Sequence, residues 1–368
     1  MNGGICLILG AGASMPYGFP SGYDLIWDII ECIEFGIKCR SQTREEVIER
    51  ECNNRIEDLK KSGRNYYFIK SSRSIVSYII SLVAKKTKRP CGSIEEQAPI
   101  STEIENFSRA LKYSGCHSID FFLEKRGEQE AFIGKLMIAA LLTLNEQEER
   151  FFTYELGSEW YGWLYNKLLN GNKLEQFGAD GLHIITFNYD RSFEHFLFKA
   201  LSTTYPDRSP QDIWERIDTL KIKHVYGSLG EIRNHKDNYK SYEVGLSEEL
   251  LDKSAKSIYT ISESMVSPEI KGITESHHHF VFIGFGYNKR NIERLGIFDG
   301  RVGHKEIVVS GSTYGLSVAE VDALRSYFCK QSSFVNVERL RPSDEKVDKY
   351  LRNYRFDDLF IQKFRGKS

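Results

Sequence analysis

Neither sign of charge prevails in this 368-residue sequence: 50 Lys and Arg stand against 51 Asp and Glu, a formal net charge of -1. The positive field of a protein built to grip nucleic acid backbones is missing, and direct nucleic-acid binding is not expected. Long hydrophobic runs are missing too. The most apolar stretches, 75–84 and 136–144, fall short of the roughly 20 residues that cross a bilayer, so no membrane association is expected. No basic segment precedes the apolar Ile5–Leu9, and no signal peptide is expected. Cysteine is sparse. Cys6, Cys32, Cys39, Cys52, Cys91, Cys116 and Cys329 form an odd, scattered set without a C-x-x-C pair. That excludes a dense disulfide framework and the paired spacings of a structural zinc site. A cytoplasmic protein with free thiols and no metal is the expectation. With 41% hydrophobic and 27% charged residues, the chain can bury a large core. At about 150 residues per domain, the length points to two or three domains or one large one.

Periodicity divides the chain into three zones. Ile5–Leu9 is a continuous apolar run ending in glycine, the pattern of a strand buried on both faces of a parallel sheet. Ser21 and Asp24 then signal the cap of a helix running through about Glu34. From Gly36 to Gly178 no strand pattern occurs. Helices are expected over 44–61, 66–84, 103–113, 132–144 and 147–169, with Lys85–Pro90 as an exposed basic turn. The third zone alternates again. Strands are expected at 182–187, 220–226, 280–283, 306–309 and 334–337, with helices at 191–202, 254–265, 289–295 and 317–328. About six strands separated by helices predict an α/β, doubly wound, Rossmann-like parallel sheet, with ligands beyond the carboxyl ends of the strands. A large all-helical insertion follows the first strand–helix unit. The expected division is a nucleotide-binding domain of residues 1–36 plus 176–341, a helical insertion domain of 37–175 and a C-terminal helical tail of 342–368.

Gly10-Ala11-Gly12-Ala13-Ser14 sits where the first strand gives way toward a helix. Small residues there let backbone amides approach a pyrophosphate, and a helix N-terminus adds partial positive charge. The dehydrogenase fingerprint fails because Met15 stands where its third glycine would be, and no G-K-[ST] of a Walker A loop exists. Pro16 and Pro20 stiffen a long connection that suits a lid better than a tight turn.

Three more segments follow strands: Thr186-Phe187-Asn188-Tyr189-Asp190, Lys223-His224-Val225-Tyr226-Gly227-Ser228-Leu229 and Phe282-Ile283-Gly284-Phe285-Gly286-Tyr287-Asn288. Together with the glycine loop and Gly18-Phe19-Pro20-Ser21-Gly22, this ordered series resembles the sirtuin superfamily. It looks most like the sirtuin-like NAD-cleaving domains of bacterial anti-phage defence systems, the HerA-associated type. The resemblance covers the first 36 residues and about 176–341. It implies cleavage of the nicotinamide–ribose bond of NAD. It also implies that Gly10, Ala11, Gly12, Ala13 and Ser14 hold the pyrophosphate and that Phe19 and Pro20 belong to a flap over the nicotinamide. Asn188 and Asp190 would line the nicotinamide ribose. Gly284, Phe285 and the Ser310-Gly311-Ser312 turn would face the adenosine half.

Loss of nicotinamide leaves positive charge on the ribose, an oxocarbenium-like state of the kind met in glycoside cleavage. An amide such as Asn188 can fix a water or ribose hydroxyl, and a carboxylate such as Asp190 can stabilise the growing charge or orient the amide. A histidine accepts the proton most readily near neutrality. Sirtuin-type motifs place that histidine directly before Gly-Ser, where this chain has Tyr226. A tyrosine with a pKa near 10 is a poor base at pH 7. His224, two residues earlier on an expected strand, would share a face with Tyr226. His224 is therefore expected to accept the proton while Tyr226 packs against or hydrogen-bonds the ribose; the competing reading is a satisfied core histidine. The zinc-ribbon cysteines and flap arginine of protein deacylases are absent, leaving water as the simplest acceptor.

Other residues tempt. His277-His278-His279 alternate faces on a strand and read as a polar strand entry rather than a metal cluster. The aromatics of the helical zone read as core or subunit interface. Two functions from different classes remain. The first is an NAD hydrolase, the toxic effector of an abortive-infection system, oligomeric through its helical insertion and partnered by a HerA-type ring ATPase or another sensor subunit. The second is a non-catalytic NAD or ADP-ribose module gating such a partner. A protein deacylase is the weaker third.

Overall fold

The computed structural model describes residues 4–152, 160–169, 173–178, 181–233, 241–242, 245–263, 267–299, 306–331, 335–337, 340 and 346–353. The first strand, β1 (Ile5–Leu9), is buried along its whole length. Seven helices follow before the next strand: α1 (Gly22–Arg40), α2 (Glu45–Lys61), α3 (Ser72–Thr87), α4 (Ile94–Lys112), α5 (Ile119–Leu123), α6 (Glu128–Asn145) and α7 (Trp160–Leu168). Then come β2 (Leu182–Thr186), α8 (Ser192–Thr204), α9 (Pro210–Asp218), β3 (Lys223–His224), α10 (Glu248–Ser257) and α11 (Pro268–Ser276). The chain continues through β4 (His279–Ile283), α12 (Lys289–Arg294), β5 (Ile307–Gly311), α13 (Val318–Gln331), β6 (Val335–Asn336) and α14 (Val347–Asn353).

The six strands form one sheet in the order β3-β2-β1-β4-β5-β6, and every pairing is parallel. This is an α/β protein whose strand order is compatible with a Rossmann-like fold. The register aligns the strand ends. Leu9 stands opposite both Thr186 and Ile283, and Thr186 opposite His224. Four strand ends therefore lie in one row, and the loops leaving β1, β2, β3 and β4 emerge side by side from that rim.

The helices between β1 and β2 pack on one another and on a helix from beyond β3. Helix α1 packs on α3 and α4, and α10, from beyond β3, packs on α3 and α6. A single buried apolar cluster runs from β1 through both groups. Gly36 permits the close approach of α1 to α3, since a Cβ there would lie 2.5 Å from the Ser72 carbonyl oxygen. No described helix is long and apolar enough to cross a membrane.

Several boundaries differ from expectation, each for a local reason. Ser21 caps α1 as read, its hydroxyl accepting from the Asp24 amide at 3.0 Å. Helix α9 is not among the expected helices; in the structure Ser209 and Asp212 form a capping box with Pro210 at the first helical position. Helix α11 also starts Ser-Pro, with the Ser267 side chain accepting from the Ile270 amide and Pro268 in the first turn. The helix expected over 254–265 instead ends at Ser257, because Ile258 is extended and bridges Gly227. The basic turn starts later than expected, for α3 runs through Lys85 and Lys86 to Thr87 and ends at Lys88 in the left-handed region. Over 147–169 a 3-10 turn, Glu148–Phe151, and α7 replace one helix, with 153–159 outside the described residues. Of the tail helix, 347–353 is described and the rest of 343–364, save Lys346, is not. His277 is buried between the Ile273 and Gly181 carbonyls at 2.7 and 3.3 Å, and only His279 enters a strand.

Candidate functional site

After β1 the chain makes two consecutive 3-10 turns, Ala11–Ala13 and Met15–Tyr17, and α1 begins only at Gly22. This corrects the expected helix N-terminus at the glycine loop: Pro16 and the left-handed Gly18 (φ 86°) hold the turns apart from α1. Most loop amides are internally engaged. Gly10 donates to Ile283 at 3.0 Å, Gly12 to Gly284 at 2.9 Å, Ala13 to Gly10 at 2.9 Å and Ser14 to Ala11 at 3.1 Å. Among the described residues only Ala11 in this run keeps its amide without a backbone acceptor.

The glycines are needed for contact between backbones. A Cβ on Gly12 would lie 2.8 Å from the Gly284 Cα, and one on Gly284 would lie 2.1 Å from the Ala13 nitrogen. Gly284 also has φ +57°, a conformation that costs an L-residue roughly 1–2 kcal/mol before any clash. Gly284→Ala is therefore expected to lower the unfolding free energy by at least about 1–2 kcal/mol in urea titration; an unchanged midpoint would show that the two loops can separate freely.

Helix α7 pins the loop from the other side. Trp160 Nε1 donates to the Ala13 carbonyl at 2.7 Å, and the Tyr161 amide donates to the Tyr17 hydroxyl at 2.8 Å. The Tyr17 and Tyr161 rings stack at 3.7 Å. In the expected flap Phe19 is buried and Pro20 half-buried. Arg150 holds the Gly18 carbonyl at 2.9 Å while its guanidinium lies 4.3 Å over the Tyr67 ring.

Beyond β2, four successive side chains reach out to neighbouring segments. Asn188 Nδ2 donates to the Gly10 carbonyl and to the Ser14 hydroxyl, both at 3.0 Å. Tyr189 hydrogen-bonds Asp120 of α5. Asp190 accepts from the Ser192 amide at 3.1 Å and from its hydroxyl, and also hydrogen-bonds Ser14. Arg191 forms a buried, two-pronged ion pair with Glu146 at the end of α6, at 2.8 and 2.7 Å. Burial raises the Asp190 pKa, and its bonds to Ser192 and Ser14 only partly offset this. Tyr161, whose hydroxyl is 2.6 Å from that of Ser192, closes the group.

His224 reaches the same place from β3. Its Nδ1 lies 2.7 Å from the Asn188 carbonyl oxygen and its Nε2 lies 2.7 Å from Glu194 Oε1. Burial disfavours its charged form, but Glu194 and the Asn188 carbonyl outweigh that, and the pKa ends above its ordinary 6.5. Glu194 shifts the other way: burial opposes its charge, His224 more than compensates, and its pKa falls below 4.5. Both ring nitrogens face oxygen acceptors, an arrangement that favours the doubly protonated ring.

Tyr226 does not share the His224 face. Strand β3 ends at His224 and the chain turns, so alternation along a strand no longer applies. The Tyr226 hydroxyl donates to Asn291 of α12 at 2.7 Å, its ring stands edge-on to Phe187 at 5.6 Å, and burial raises its pKa further above the tyrosine range. On the β4 side, the Gly284 amide donates to the Ser312 hydroxyl at 3.0 Å, and Phe285 is buried 5.1 Å from Phe187. Gly311 closes β5 rather than forming a turn. A Cβ on it would lie 2.1 Å from the hydroxyl of Tyr287, which donates to the Ser312 carbonyl at 3.0 Å.

Of the sequence-derived residues, Gly10, Ser14, Asn188, Asp190 and His224 come together; Gly284, Phe285, Gly311 and Ser312 lie next to them across the Gly10–Gly12 contact; Tyr226 stands apart. Glu194, Tyr161 and Ser192 were not read from the sequence. Only Glu194 carried a signal, one helical turn beyond Asp190. A cavity of about 290 Å³ opens beside His224 and Glu194, walled by Trp214, Ser228 and Arg233. No family model, curated protein or solved structure matches the chain.

Proposed function

We propose that this protein is an NAD hydrolase that releases nicotinamide and ADP-ribose. What carries the reading is the meeting of Ser14, Asn188 and Asp190 at the carboxyl ends of adjacent parallel strands, beside the point where the strand order reverses and dinucleotides bind in such sheets. The residues present suit the ligand: glycines that let a backbone come close, the Ala11 amide, the Ser14 hydroxyl, and Gly286, where a Cβ would meet nothing within 4 Å. In the proposed reaction the C1′–N bond breaks with its electron pair passing to the pyridinium nitrogen. Water forms the new C1′–O bond. Asn188 Oδ1, which has no partner among the described residues, orients that water, and Asp190 takes its proton through the Ser14 hydroxyl. Asp190 replaces His224 as the acceptor because it retains lone pairs and a raised proton affinity.

The sirtuin-like resemblance extends the proposal. The sheet would be doubly wound, and helices α2–α7 would be an insertion that supports a homo-oligomer. The chain would act in the cytoplasm as the toxic effector of an anti-phage system, restrained or triggered by a HerA-type ring ATPase. A second reading, non-catalytic binding of NAD or ADP-ribose, is favoured by Tyr226 being committed to Asn291. One experiment separates the two. The purified chain, alone and with its partner, is incubated with NAD and the products are separated by chromatography. Nicotinamide and ADP-ribose in equal amounts support the hydrolase. Saturable NAD binding by calorimetry without products supports the module, and neither binding nor products ends both.

A further inference from the structure

The backbone of Asn188 lies past the last ladder pair of β2 and before α8 begins, so no regular structure holds it. Side chains do so instead. Its amide donates to Thr186 Oγ1 at 3.0 Å, and its carbonyl accepts from His224 Nδ1 at 2.7 Å. Among the described residues the carbonyl has no other donor. A histidine can grip a carbonyl from Nδ1 only when Nδ1 carries the proton, and an isolated neutral ring interconverts between two tautomers. Glu194 Oε1, 2.7 Å from Nε2, removes that freedom.

We infer that Glu194 is a positioning residue, which fixes the His224 ring so that it clamps the Asn188 backbone and so aims the Asn188 amide at the reacting ribose. The inference rests on the hydrolase reading for its kinetic consequence, though not for the clamp itself. The groups facing the ring are Glu194 from α8, Asp190 and Arg191 from the turn before it, and Asp218, Glu231 and Arg233 around the neighbouring cavity. Arg233 is neutralised by its pairing with Asp218, and Arg191 by Glu146. Glu194 is the one carboxylate in contact with the ring. Partners at this remove from a reacting centre change rates by about 10–100-fold when removed, through the group they orient.

The pH effect has a definite sign. With Glu194 the ring keeps its charge, and both donors, to a pH above 6.5. In Glu194→Ala only the Asn188 carbonyl and Asp190 are left to oppose burial, the pKa drops, and above it the neutral ring no longer favours the Nδ1-protonated tautomer. Glu194→Ala should therefore lose about tenfold or more in kcat at a pH between its own and the wild-type His224 midpoints, with KM for NAD little changed, and recover as the pH falls through the lowered pKa. Glu194→Gln should restore kcat to within a few-fold, because its amide can donate to Nε2 and hold the proton on Nδ1. A loss equal at every pH and not relieved by Gln would mark a merely structural residue and overturn the inference. So would an unchanged kcat. NMR titration of the full-length chain, with the ring signals assigned by His224→Gln, gives an independent arm. The His224 midpoint should fall by about one unit or more in Glu194→Ala. If the wild type turns over no NAD, the hydrolase reading fails alone, and an unshifted midpoint would separately refute the clamp.

Discussion

Asn188→Ala is expected to abolish nicotinamide release, lowering kcat by at least about 10²-fold, while the protein stays folded. The magnitude is that of losing a preorganised polar group which orients the reacting atoms. The effect is local, because the amide makes two hydrogen bonds, to the Gly10 carbonyl and the Ser14 hydroxyl. Net loss of such bonds typically costs about 0.5–1.5 kcal/mol each, well within the stability of a domain. Asn188→Asp is the stricter variant. It nearly preserves volume but removes both donors and sets a carboxylate against two oxygens, so it should be as inactive as Ala and less stable. Thermal unfolding of all three proteins, with calorimetric binding of ADP-ribose, separates chemistry from folding. A variant that binds ADP-ribose normally yet releases no nicotinamide supports the catalytic assignment. An Asn188→Ala protein with wild-type turnover would remove Asn188 from the mechanism, and with it the reason for locating the reaction at this rim.

That rim was largely legible in the sequence. Ligand sites in parallel sheets form where strands end, so a run such as Thr186–Asp190 declares its position once β2 is recognised. Strands β1, β2 and β4 are recognisable because they are apolar at nearly every position, a pattern that burial on both faces demands. What could not be read were relations settled in three dimensions. The His224–Glu194 contact joins β3 to α8 across 30 positions of chain. The shared face predicted for His224 and Tyr226 failed because β3 is only two residues long, and strand alternation holds no further than the strand. Trp160 and Tyr161 lie in the helical zone, whose aromatics read as core or subunit interface, and both are buried. Their indole and hydroxyl groups nevertheless anchor the glycine loop and Ser192. The engaged loop amides were equally invisible, since a G-A-G-A-S run looks the same whether its N–H groups face a phosphate or the neighbouring Gly284.

The Glu146–Arg191 pair should show the largest effect on stability in the molecule. Glu146 closes α6 and Arg191 opens α8, and their side chains are 0% and 1% exposed. Two N–H···O bonds of 2.8 and 2.7 Å join them, and a third guanidinium contact reaches the Ser241 carbonyl at 3.3 Å. A pair so buried contributes little net stability as a pair, since desolvation offsets most of its attraction. Removing one partner leaves a charge stranded without water and costs about 3–5 kcal/mol. Glu146→Ala should therefore lower the urea unfolding free energy by that amount. It should also reduce turnover, because Arg191 stands between Asp190 and Ser192 and any shift to find solvent displaces both. Arg191→Met combined with Glu146→Leu removes both charges while keeping volume, and should restore most of the loss. The comparison of single and double variants is decisive. If the double variant is as unstable as Glu146→Ala, the pair is not a compensated charge but an irreplaceable strut between α6 and α8. If Glu146→Ala unfolds like the wild type, water reaches Arg191, and the dry junction that the geometry describes beside Asp190 does not exist in solution.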